Sequence, residues 1–181
     1  VTRFAMAQRE IGLALGEPHN TKGYPPSVFS LLQQLMERAG KENGKGSITA
    51  FFTVLIEGDD MSDPVADQAR SILDGHIVLS REMTDFGIYP PITILQSASR
   101  LISNLLSKEH QRNITEYRKL YSLLKENETL IRIGAYTGGS DPLLDRAIEK
   151  KELLEGLIAQ ESNQAIHFEE AAMLLHQIVN Q

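Results

Sequence analysis

Three observations predict an α/β fold that gives way to a helical C-terminal part. From Val1 to about Ser107, stretches of helical periodicity alternate with short apolar runs. The run Ile48 to Ile56 is nearly continuous in apolar, β-branched and aromatic residues, which suits a strand covered on both faces of a mainly parallel sheet. From about Lys108 onward the strand signal disappears, and Ile114, Tyr117, Leu120, Tyr121 and Leu124 recur at helical spacing. The expected organisation is therefore an α/β part over residues 1–107 and a helical domain over residues 108–181.

In order along the chain, Arg3 to Leu15 reads as a helix stopped by Gly16. Val28, Leu31, Leu32, Leu35, Met36 and Ala39 keep one helical face apolar until Gly40, with Ser27 as the expected N-cap. The strand Ile48 to Ile56 runs into an acidic loop, Glu57-Gly58-Asp59-Asp60 and Asp63, at the carboxyl end where open α/β sheets place ligand or partner contacts. Asp63-Pro64 pairs an N-cap with proline at the first helical position and opens a helix to about Leu73. After Gly75, His76 to Leu79 reads as a second strand. Leu130, Ile131 and Ile133 close a further helix at Gly134, and Asp141-Pro142 repeats the cap-and-proline pair. Leu143, Leu144, Ala147, Ile148, Leu153, Leu154 and Leu157 then form one apolar face, and Phe168 to Val179 another.

Composition excludes several classes of function. With 181 residues and 41% apolar content the chain can build one core, or one and a smaller appendage. A formal charge of -6 with dispersed Lys and Arg argues against a nucleic-acid footprint. The absence of cysteine excludes disulfides and thiolate metal sites and fits a reducing cytoplasm. No apolar run is long enough to span a bilayer and no signal peptide is evident at the start, so the chain reads as soluble and cytosolic.

Generic catalytic motifs are absent. Gly40 to Ser47 imitates a P-loop, but its spacing is one residue short and Gly46 follows Lys45 where Ser or Thr would reach magnesium; a surface turn is the expectation. Asp59, Asp60 and Asp63 lack the alternating ligands and central glycine of a calcium loop. The five histidines, His19, His76, His110, His167 and His176, show no zinc-binding pair, and no residue is expected to ligate metal.

The words of the sequence are more specific than its periodicity. Thr2-Arg3-Phe4-Ala5, Gly23-Tyr24-Pro25-Pro26-Ser27-Val28-Phe29, the stretch Gly46 to Arg81, Tyr89-Pro90, Ser97-Ala98-Ser99-Arg100, Ile131-Arg132-Ile133-Gly134-Ala135-Tyr136 and Gly139-Ser140-Asp141-Pro142 resemble the flagellar protein export ATPases, in the same order. Injectisome ATPases of type III secretion share these words, and rotary ATP synthase catalytic subunits are more distant kin.

The resemblance implies the C-terminal part of a RecA-like P-loop NTPase core followed by a helical domain. In such enzymes the P-loop, catalytic glutamate and Walker B aspartate precede the segment matching Thr2 to Ala5. ATP and Mg are thus the implied cofactors, with the Mg ligands upstream, and the chain alone is expected to hydrolyse little ATP. Arg100 matches an arginine finger supplied in trans to a neighbouring subunit, a task suited to a permanently charged planar fork. Its plain alternative is a surface ion pair. Tyr89 matches an adenine-stacking tyrosine, against the alternative of a core tyrosine pinned by Pro90 and Pro91. Tyr136 is a further candidate near the base, or a packing residue.

Asp60, Ser62 and Asp63 match a loop facing the central stalk of a hexamer. The alternative makes Asp63 a helix cap and Asp59 a hydrated charge. Implied partners are five further copies, a coiled-coil stalk protein, a stator protein reached through an N-terminal region, and the export gate, chaperones and export substrates, with no nucleic acid. The implied location is the cytoplasmic side of the inner-membrane export apparatus. Two rivals are an RNA-translocating hexameric terminator, disfavoured by the acidic balance, and a non-catalytic interaction fragment.

Overall fold

The computed structural model describes residues 1–20, 22–58 and 60–181. The chain forms two compact units, Val1–Asp74 and Gly75–Gln181. In the first, α1 (Thr2–Ala14) ends before Gly16, whose φ of 76° is the left-handed turn that glycine tolerates. Helix α2 (Pro26–Met36) starts at Pro26, which occupies the first helical turn behind Pro25. Ser27 is therefore inside the helix and not its cap, a correction that follows from proline fixing the start one residue earlier.

Residues Gly40–Glu42 (β1) and Gly46–Ile48 (β2) pair antiparallel, so the P-loop imitation is an exposed hairpin whose tip is the expected surface turn. Only Ile48 of the long apolar run enters a ladder. Beyond it, residues 51–56 alternate between exposed and half-buried, the period of an extended strand with one face open. Thr2 fastens this segment by exchanging two hydrogen bonds with Leu55: its Oγ1 donates to the Leu55 carbonyl (3.3 Å) and accepts from the Leu55 N–H (2.8 Å). A strand needs a neighbour for its backbone groups, and none pairs with 49–56 among the described residues. Helix α3 (Pro64–Ile72) follows, and Ala5, Tyr24, Val28, Leu32 and Val65 form the core of this unit.

The second unit opens with β3 (Gly75–His76) and α4 (Arg81–Asp85); β3 pairs antiparallel with β4 (Ala98–Ser99). The expected strand His76 to Leu79 is thus shorter, continued only by an isolated bridge from Leu79 to Ile92. No parallel ladder forms among the described residues. Helix α5 (Ile102–Leu105) leads to α6 (Lys108–Glu126), the axis of a helical bundle completed by α7 (Glu128–Arg132), α8 (Pro142–Glu149), α9 (Lys151–Gly156) and α10 (Phe168–Asn180). Tyr117, Leu120, Tyr121 and Leu124 of α6 are buried against Leu144, Ala147, Leu154, Leu175 and Ile178, as the helical spacing requires. The Tyr117 hydroxyl donates to the Leu154 carbonyl (2.6 Å), and burial raises its pKa.

Candidate functional site

Arg100 lies immediately after β4, exposed. The serines before it divide the work of holding the loop. Ser97 Oγ accepts from the Val78 N–H (2.9 Å) and donates to the Thr93 carbonyl (2.8 Å), tying the loop to the segment after β3. Ser99 Oγ accepts from the Leu101 N–H (3.4 Å) at the entry to α5. Behind the loop, Arg118 of α6 donates to three of its carbonyls: Nη1 to Ile94 (2.8 Å) and Ser97 (3.3 Å), and Nη2 to Leu95 (3.0 Å). Sequence reasoning did not single out Arg118. Its signal is a cation at the i, i+4 spacing from Ile114, flush with an apolar stripe.

Tyr89 precedes a cis Pro90 and is 52% exposed. Its carbonyl accepts from the Gln160 N–H (2.7 Å), which brings the turn after α9 beside it. Together Tyr89, Pro90, Gln160, Glu161, Ser162 and Gln164 line an open cavity of about 330 Å³. Tyr136 is not among the lining residues. Its hydroxyl donates to Asp145 Oδ1 (2.8 Å) and accepts from the Asp141 N–H (3.3 Å), while Asp145 Oδ2 accepts from the Gly139 N–H (2.9 Å). These bonds brace the turn that starts α8.

In the first unit the acidic loop is a set of engaged groups. Asp60 pairs with Lys22 Nζ (2.6 Å) and accepts from both the hydroxyl (2.5 Å) and the N–H (2.9 Å) of Ser62. The Lys22 hydrogen bond first, then those from Ser62, lower the Asp60 pKa to about 2, and the same pairing raises the pKa of Lys22. Asp63 Oδ1 caps α3, accepting from Val65 N–H (2.9 Å) and Ala66 N–H (3.1 Å). Asp59 lies outside the described residues. Lys22 was also missed, because nothing local links it to an aspartate 38 residues away.

Among the described residues no cluster of His, Asp or Glu suits a metal ion, and no helix is long and apolar enough to cross a membrane. The fold is that of a mixed α/β protein with a helical C-terminal part. Residues 1–99 match the family model described as ATP synthase alpha/beta family, nucleotide-binding domain, and residues 106–177 match that of the T3SS EscN ATPase C-terminal domain. The chain belongs to the ATP synthase alpha/beta family.

Its relatives include the Flagellum-specific ATP synthase of Helicobacter pylori strain J99, 65% identical over 179 residues that make up 99% of this chain and 41% of the relative. Among solved structures, the assembled ATPase EscN of the enteropathogenic E. coli type III secretion system is 48% identical with a TM-score of 0.94, covering 99% of this chain and 43% of that one. EscN in complex with its central stalk EscO is 46% identical with a TM-score of 0.86, covering 99% and 42%. The chain thus spans about two fifths of the length of each.

Proposed function

We propose that this chain works as the C-terminal part of an ATPase that couples ATP hydrolysis to flagellar type III protein export. The observation that carries this reading is the 65% identity, nearly end to end, with a Flagellum-specific ATP synthase. Residues 1–107 would complete a RecA-like core and residues 108–181 would form the helical domain. The working unit is a homo-hexamer around a coiled-coil stalk, a reading supported by the assembled EscN and its complex with EscO. ATP and Mg bind mainly through the part of the enzyme upstream of the segment matched here. The enzyme sits on the cytoplasmic side of the inner membrane and receives chaperones and export substrates, with stator and export-gate contacts made by the whole protein.

Within that enzyme Arg100 reaches the γ-phosphate of a neighbouring subunit and stabilises charge as the phosphoryl group transfers. Tyr89 stacks on adenine in the cavity it shares with Gln160 to Gln164. Tyr136 takes the packing role, its hydroxyl engaged by Asp145 at the turn that starts α8. Asp60, Ser62 and Asp63 face the stalk, where charge guides association. An injectisome role is the second reading, supported by the match to EscN.

Steady-state phosphate release by the full-length hexamer separates the two nucleotide contacts. Arg100→Ala should lower kcat by about 10³-fold or more with folding intact. Tyr89→Ala should raise KM for ATP about tenfold with kcat nearly kept, as expected for a contact equal in ground and transition states. Full activity in Arg100→Ala would sink the finger, and an unchanged KM in Tyr89→Ala would sink the stacking role. Loss of motility and of flagellin secretion on gene deletion, with other secretion intact, distinguishes the flagellar from the injectisome system.

A further inference from the structure

The half-buried guanidinium of Arg118 has no carboxylate partner among the described residues, a costly arrangement unless its donors are met. It donates three hydrogen bonds, all to backbone carbonyls. Three carbonyls from one short turn, Ile94, Leu95 and Ser97, converge on its two terminal nitrogens at 2.8 to 3.3 Å. Carbonyl dipoles that point together repel one another, and a cation at their focus offsets that repulsion. The turn is closed from within by the Gln96 and Ser97 N–H groups on the Thr93 carbonyl (3.2 and 3.0 Å) and is fastened to Val78 through Ser97 Oγ. Two residues of β4 then separate it from Arg100. On its other side, Arg118 stands on α6, whose neighbouring residues Tyr117 and Tyr121 are sealed in the bundle core.

We propose that Arg118 is a positioning residue for Arg100: it fixes the turn that aims the finger and ties that aim to the helical bundle through α6. The proposal rests on the finger reading of Arg100. Misplacing a reacting group by about 1 Å costs on the order of 100-fold in rate, so loss of the clamp should act on turnover rather than on ground-state nucleotide binding. An ammonium could replace the charge but not the fork that meets three carbonyls from two nitrogens.

The test is a double-mutant cycle in the full-length hexamer, read by single-turnover phosphate release and by KM for ATP. Arg118→Ala should lower the rate about 100-fold with KM changed less than about twofold. Arg118→Lys should fall between it and wild type, and Arg112→Ala, an exposed arginine on the same helix, should leave both constants unchanged. Added to Arg100→Ala, the Arg118 substitutions should lower the rate no further. Equal fold-losses with and without Arg100, or a raised KM at wild-type rate, would overturn the proposal while leaving the finger standing. A wild-type rate in Arg100→Ala would instead remove the finger reading itself. If Arg118→Ala does not assemble, the same cycle runs with Arg118→Lys.

Discussion

The carboxylate of Asp60 shows how a surface residue is committed before any partner arrives. Held by Lys22 and Ser62, it titrates at about 2 in place of its ordinary 3.8, so its contribution to the folded loop is complete above the ordinary range and is lost as pH falls toward 2. Lys22 has the opposite sign. Its pKa is raised above 10.5, so its share is present below that value and is lost as pH rises through the higher one. Both groups are exposed, and salt screens the pair. Carboxyl-carbon NMR should find the Asp60 midpoint near 2, moving upward in Lys22→Ala; an unperturbed midpoint in the intact chain would show that the pair does not persist in solution. On the proposed stalk-facing role, a partner would meet a cation at Lys22 as well as acids, a surface of mixed sign.

At the scale of elements, the local chemistry of Asp-Pro was legible and the pairing of strands was not. Asp63 and Asp141 each accept from the second and third N–H groups of their helices, because aspartate before a first-turn proline has few other conformations to adopt. Asp63→Ala should therefore destabilise by about 1 kcal/mol in thermal or denaturant unfolding, while Asp63→Asn, which caps equally well, should cost little. The same two variants measure the stalk contact. Weakened stalk binding by Asp63→Asn in an assembled ring assigns a role to the charge, and unchanged binding leaves Asp63 a cap alone.

Ser27 misled because serine is a good cap in general, yet Pro25-Pro26 sets the entry to α2. The run 48–56 reads as a strand covered on both faces, yet alternate residues of 51–56 are exposed, because cover and a ladder depend on residues far away in sequence. Of the candidate site, the words around Tyr89 and Arg100 were legible as motifs. The turn of Gln160 to Gln164 beside Tyr89 was not, since only tertiary packing brings it there.

At the scale of the molecule, each unit leaves large apolar side chains in solvent. Phe51 is 91% exposed and Leu15 76% in the first, and Leu105 73% in the second. Exposed side chains of this size are available for contacts with further protein, in keeping with a chain that spans 41% of a relative's length. On the proposed role of Arg100, assembly would be a condition of turnover, because the phosphate grip and the finger would come from different copies.

Mixing two inactive full-length proteins tests this sharing most directly. One carries Arg100→Ala and the other lacks its P-loop lysine. In mixed hexamers, some interfaces join an intact P-loop to an intact finger, so the mixture should release phosphate faster than either parent alone. Mixed hexamers that form yet show no gain over their parents would contradict a finger supplied in trans.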